Sequence, residues 1–340
     1  MRKLPSVFLF VAVLLVAGSL PGHSQGKWAV TKTVQIGGAG GWDYVLVDAR
    51  NNRFFVTRQT HTQVFSTATG KVIANIPGQI HSHGTAIVPA VNRGFITDGG
   101  GDGSIVVFDL TSYKVLGKIH TMPDSDGIIY DRSANLILAV SGDEHTLMTF
   151  SPDIDIASGK VTKIDLGGKP EYLASDGSKA YVNLPEDNLV AVVDLKDNKV
   201  IARWPVAPGG ENTGMAIDRR NHLIFLGCRN PQKLIVMSTE DGKIVASLPI
   251  GTTNDAVKFA GGQAFASCGG NGELVVASEK DGKWQVDQVV KTADGARTMD
   301  IDRRTHTIFL ATAHMLPPPV GQKRPGIEPG TFKILEVSQQ

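Results

Sequence analysis

Apolar and polar residues along this chain alternate in short runs, and the runs recur. WDYVLVDARNNRFFVT, from Trp42, reads as an apolar strand, a polar turn and a second apolar strand. The unit returns as HGTAIVPAVNRGFIT from His83, SDGIIYDRSANLILAV from Ser125 and NTGMAIDRRNHLIFLG from Asn212, with further copies from Pro170, Asn254 and Ala296. The matching turn residues are Asp48, Pro89, Asp131, Ser175, Asp218, Ala260 and Asp302, spaced by 41, 42, 44, 43, 42 and 42 residues. Most copies are followed by a third strand, a turn, and a fourth strand opening on Lys, as in LVAVVDLKDNKVIARW. Runs this short, broken by Gly, Asn and Asp, fit strands and not helices.

Four strands every 40 to 45 residues is the spacing of a propeller blade. The sequence therefore predicts an all-β, seven-bladed β-propeller with four antiparallel strands per blade. The seventh unit stops at its third strand, residues 334–337. Residues 28–36 (WAVTKTVQI) resemble the outer strands and are expected to close the ring by pairing with the last blade, because an open ring leaves strand edges unpaired. The 38 Gly and 17 Pro suit a turn-rich fold and argue against a helical bundle.

Residues 1–24 have the form of a secretory signal peptide. Arg2 and Lys3 precede an apolar run over residues 8–17, and Gly22 and Ser24 suit a cleavage site before Gln25. The run is too short to span a bilayer, which takes about 20 residues. The expected mature chain, 25–340, is a single exported domain, periplasmic or secreted, monomeric and without a membrane anchor. Losing Arg2 and Lys3 takes the 34 basic residues to 32, against 33 acidic ones. That balance lacks the basic excess of a general nucleic-acid binder.

Tyr181-Val182-Asn183, with the strands 188–194 and 198–202 after it, resembles the YVTN repeat. The whole-chain organisation is similar to that of YncE-like periplasmic propellers. Phe265-Ala266-Ser267-Cys268 departs from the repeat. The resemblance implies a seven-bladed propeller and, in some members, nucleic-acid binding, which the charge balance does not support.

In such a fold the starts of the first strands and the ends of the second strands share one face. Asp43, Asp126, Asp255 and Arg297 stand five residues before the turn position, with His83 and Glu171 one place off it. Together with Arg229 and His314 from second-strand ends, they are the candidate ligand-binding residues of the channel mouth. Asp at a strand start also caps turns, so backbone capping is the competing role. His81-Ser82-His83 puts two imidazoles on one side of an extended strand, a spacing that chelates a transition metal if another blade adds His314 or an Asp. Asp98-Gly99-Gly100-Gly101-Asp102-Gly103 lacks the partners of a phosphate or calcium loop and reads as a turn. Residues 314–331 carry Pro317, Pro318, Pro319, Pro325 and Pro329, an insertion in blade 7 too stiff for a paired strand and placed to cover the mouth. Export permits a disulfide between Cys228 and Cys268, although equivalent positions on adjacent blades are expected to lie too far apart.

Two function classes follow. The first is a binding protein that holds a small molecule or protein partner at the mouth. The second is a lactonase-like hydrolase in which carboxylates hold a divalent cation, Arg297 holds a substrate anion, and His83 or His314 moves protons. No catalytic signature motif appears in the chain.

Overall fold

The computed structural model describes residues 26–318 and 326–340. The expected signal peptide lies outside the described residues. Among the described residues, five four-stranded antiparallel sheets, one seven-stranded sheet and a two-stranded ladder make up the fold. The first strands are Val45–Asp48, the later half of Val72–Val88, Ser125–Asp131, Leu173–Ser175, Asn212–Asp218, Asn254–Ala260 and Thr298–Asp302. Each packs on the next in that order, and Thr298–Asp302 packs back on Val45–Asp48.

Burial explains the hydrophobic pattern. Middle strands such as Arg53–Thr57 (RFFVT) and Thr146–Phe150 (TLMTF) are buried at every residue, because both faces are covered by neighbouring repeat units. The peripheral strand Lys199–Pro205 alternates between exposed and half-buried residues, because one face meets water. Most core clusters are filled from two adjacent sheets, and one, around Phe55 and Phe108, lies between the two halves of the seven-stranded sheet. Phe54 and Phe309 stack at 4.5 Å between one such pair, and Trp28 meets Phe265 edge-on at 5.0 Å in another.

Turn chemistry fixes where the first strands end. Asp131 Oδ1 accepts the N–H groups of Ser133 and Ala134, and Asp218 and Asp302 do the same for the two residues at equivalent places. Asn52, Asn92 and Asn135 then take left-handed conformations (φ 52° to 54°), which Asn tolerates better than most residues. The fourth strands join the third through a recurring register shift, as at Val192/Val193 and Val236/Met237, which bends the outer strand.

The structure departs from the expected pattern twice. Two repeat units are fused through the 17-residue strand Val72–Val88, outer strand of one and first strand of the next. Asp98 keeps this strand continuous, since its buried carboxylate accepts the N–H groups of Ile80 and His81 at 2.9 and 2.7 Å. In the proline-rich insertion, Met315–Leu316 pairs with Gly326–Ile327, which corrects the expectation that no part of it pairs. Pro317 follows the first of these strands directly, so the missing proline N–H limits the ladder to two residues on each side. Trp28–Gln35 pairs antiparallel with Lys333–Gln339. Cys228 and Cys268 are both free and buried.

Candidate functional site

A set of buried hydroxyls sets the positions of the first-strand starts. Thr57 donates to the His83 carbonyl at 2.5 Å, Thr97 to that of Asp126 at 2.5 Å, and Thr298 to that of Asp43 at 2.7 Å. Ser267 donates to the Arg297 carbonyl, and Thr213 to the Asn254 carbonyl at 2.7 Å. Each bond ties one repeat unit to the next, at a candidate residue or, for Asn254, at the residue before one. A buried hydrogen bond of this kind contributes about 1 kcal/mol, and leaving its acceptor unmet costs about 1–3 kcal/mol. Gly227 occupies the place that Thr57, Thr97 and Ser267 hold elsewhere. A Cβ there would meet the Asn254 Oδ1 at 1.7 Å, because the Asn254 amide fills the slot from the neighbouring sheet.

On this frame Asp43, His83 and Asp126 meet. His83 Nδ1 lies 2.7 Å from Asp43 Oδ2 and 3.5 Å from Asp126 Oδ1, and its Nε2 lies 3.2 Å from His81 Nδ1. Burial alone would lower the pKa of the His83 imidazole. The charges of Asp126 and Asp43 outweigh it and push the group up to about 10. Burial raises the Asp126 carboxyl well above the usual range, with Glu171, Asp43 and Asp124 adding to the effect and His83 opposing it. For Asp43, burial works in the same direction, but the His83 hydrogen bond and the charges of His83, Arg297 and His81 win, and its pKa falls. The imidazolium thus keeps Asp43 ionised, while burial and the neighbouring carboxylates, against the pull of His83, favour the proton on Asp126. Asp126 Oδ1 is buried and accepts no hydrogen bond.

Beside this triad, Asp255 holds two arginines. Its Oδ2 takes Arg297 Nε at 2.8 Å, and its Oδ1 takes the Arg229 guanidinium. Arg297 also donates to the Trp42 carbonyl at 3.0 Å and lies over the Trp42 ring, while Arg229 Nε donates to the Asn254 carbonyl at 2.9 Å. Both side chains are about one-third exposed or less, so the pair remains open to solvent on one side. Glu171 feels both groups. Burial and the Asp255 charge lift its carboxyl, Arg229 pulls against them, and the result is about 7.

Seven of the eight sequence candidates therefore share one electrostatic field: Asp43, His83, Asp126, Glu171, Arg229, Asp255 and Arg297. His314 does not join them. Its Nδ1 binds Glu328 at 2.6 Å in the insertion, and its side chain is 66% exposed. The structure also divides the two histidines of the 81–83 motif. His83 faces the carboxylates, and His81 stands behind it. Among the other second-strand ends, Arg58 is buried against Phe332 and the Gly41 carbonyl, and Asn183 donates to the Thr213 carbonyl. These two serve the fold.

A cavity of about 280 Å³ lies among the first strands, lined by Tyr44, Tyr130, Tyr172, Thr85 and Lys258. Tyr44 and Tyr172 lie 5.0 Å apart, and Lys258 sits over the Tyr172 ring and pairs with Asp300 at 3.4 Å. Burial and the charges of Asp126, Glu171, Asp43 and Asp255 raise the Tyr44 hydroxyl well above its ordinary value, which places it within reach of the charged cluster. Reasoning from repeat position passed over these residues. The signal was rarity: the chain has five Tyr, and three of them line this one cavity.

No family model and no curated protein matches this chain. Solved structures do. The chain is similar to hydrazine synthase of Kuenenia stuttgartiensis, at 11% identity and TM-score 0.69, over 86% of this chain and 96% of that one. It is similar to the β-propeller domain of Cps50 (Swd1) from Myceliophteria thermophila, at 11% identity and TM-score 0.69, over 92% of this chain and all of that one. U3-55K matches at 10% identity and TM-score 0.72, over 90% and 99%. Likeness at such low identity establishes the fold alone: the chain is a β-propeller.

Proposed function

We propose that this chain is an exported, seven-bladed propeller that binds a small anion-bearing ligand over the mouth of its channel. The blade count takes the seven-stranded sheet as two blades sharing Val72–Val88, with Trp28–Gln35 closing the ring. The run of first strands that packs back on itself supports that count. The observation that carries the ligand reading is the convergence of charge. Side chains from six first-strand starts and one second-strand end meet beside the tyrosine-lined cavity. Such gathering of polar groups above a preformed cavity is typical of ligand sites, and two guanidiniums give an anion paired donors. The test is isothermal titration of the mature protein with small carboxylates and phosphate esters. Binding that is lost in Arg229→Gln/Arg297→Gln supports the reading, and binding unchanged in that variant, or none by the wild type, sinks it.

One observation favours a second reading, an acid–base enzyme. Glu171 at about 7 is half protonated near neutral pH, which suits a group that both takes and gives a proton. Lactone hydrolysis that follows a pH profile centred on that group, and disappears in Glu171→Gln, would put the enzyme first.

A further inference from the structure

We propose that Asp43, His83 and Asp126 form a binding site for one divalent cation of the Zn²⁺ or Mn²⁺ kind. The inference rests on the mouth being the ligand face and names part of what it holds. The three donors come from three successive repeat units, Asp43 just ahead of its first strand and His83 and Asp126 within theirs, and one ligand atom of each lies within 4.8 Å of the others. The His83 Nδ1 distances of 2.7 and 3.5 Å to the two carboxylate oxygens bracket the separation a cation needs. Bonds of about 2.1 Å in tetrahedral array set donor atoms about 3.4 Å apart. A cation between them requires the His83–Asp43 pair to open by about 0.7 Å and the two carboxylates, within 4.8 Å of each other, to close by no more than about 1.4 Å.

Three further observations agree. Asp126 Oδ1 is buried within the triad with no hydrogen bond to satisfy it, and a cation would supply the missing partner. The carbonyls of all three residues are tied to neighbouring repeat units by Thr57, Thr97 and Thr298, so the donors are held in place before any ion arrives. His81 stands 3.2 Å from His83 Nε2, where a partner to the outer ring nitrogen keeps Nδ1 turned toward the carboxylates. The donor set selects the metal. An imidazole disfavours Mg²⁺ and Ca²⁺, and the absence of sulfur from the triad disfavours Cu⁺, which leaves cations that accept mixed nitrogen and oxygen ligands. Three protein ligands leave a coordination position for an anionic group of the bound molecule, beside Arg229 and Arg297.

The experiment uses the mature protein, exported, purified without chelator or His-tag, then stripped and reloaded with Zn²⁺ or Mn²⁺. Elemental analysis, native mass spectrometry and competition with a chromophoric chelator read stoichiometry and affinity. One equivalent per chain is expected, with affinity at least ~10-fold weaker in Asp126→Asn and in His83→Gln. His314→Gln should leave it unchanged, which separates the site from the exposed His314–Glu328 pair. Should His83→Gln fail to fold, Asp126→Asn and Asp43→Asn, each nearly isosteric, decide. No bound equivalent in the wild type, or full affinity in the aspartate variants, overturns the proposal. Titration of the stripped protein with carboxylates keeps the two readings apart. Anion binding without any metal equivalent removes the cation site alone, and a metal equivalent without anion binding removes the small-ligand reading alone.

Discussion

Replacing Glu171 by Gln should flatten the dependence of stability on pH. In the folded chain burial and Asp255 lift this carboxyl from its ordinary 4.5 to about 7. Between those values the native state binds a proton that the unfolded state has released. The stabilisation is therefore complete below about pH 4.5 and is lost as pH rises through about 7. Each tenfold difference in proton affinity is worth about 1.4 kcal/mol, so the full interval amounts to roughly 3 kcal/mol. Gln keeps the shape and carries no titrating proton. Urea unfolding of wild type and Glu171→Gln, with chelator present, from pH ~4 to pH ~8 measures the difference. The gap between the two curves should shift in favour of the variant by about 2–3 kcal/mol over that range and level off above pH ~7.5. Parallel curves would show that Glu171 titrates alike in both states, and the account of the cluster's electrostatics would fail.

Other outcomes follow from the frame beneath the site. Thr97→Val removes the donor to the Asp126 carbonyl and the acceptor of the Gly84 N–H, and should cost about 1–3 kcal/mol in urea unfolding; an unchanged midpoint contradicts the role given to these hydroxyls. Deleting residues 26–35 uncovers the edge of Lys333–Gln339 and removes Trp28 from its contact with Phe265, so the chain should self-associate on gel filtration. A monomer with wild-type melting would refute closure by that strand. Cys228 and Cys268 are buried, and burial pushes both thiols up to about 12. Neither should react with a thiol reagent until the protein is denatured, and fast labelling of the native protein would show that the blade interfaces open.

Much of this molecule is local in origin. Period-two alternation and a turn every few residues specify strands, and the recurrence near 42 residues specifies their grouping. Asp131, Asp218 and Asp302 could be assigned to turns because a carboxylate two or three residues before a free N–H has a local partner. The same register put Asp43, Asp126, Asp255 and Arg297 at equivalent strand starts. Their partners were not legible. Thr298 reaches Asp43 across 255 positions of chain, and Arg297 reaches Trp42 across the same span. Whether Asp126 is left without a donor, whether Asp255 serves two arginines, and whether His81 or His83 faces the carboxylates depend on how closely neighbouring sheets approach. Buried hydroxyl–carbonyl bonds and core packing between sheets set that approach. His314 shows the same limit from the other side: its repeat position pointed to the mouth, but an inserted ladder and Glu328 carry it away. Repetition in the sequence determines what each unit is, and the meeting of units that are distant in the chain determines charge, protonation and chemistry at the site.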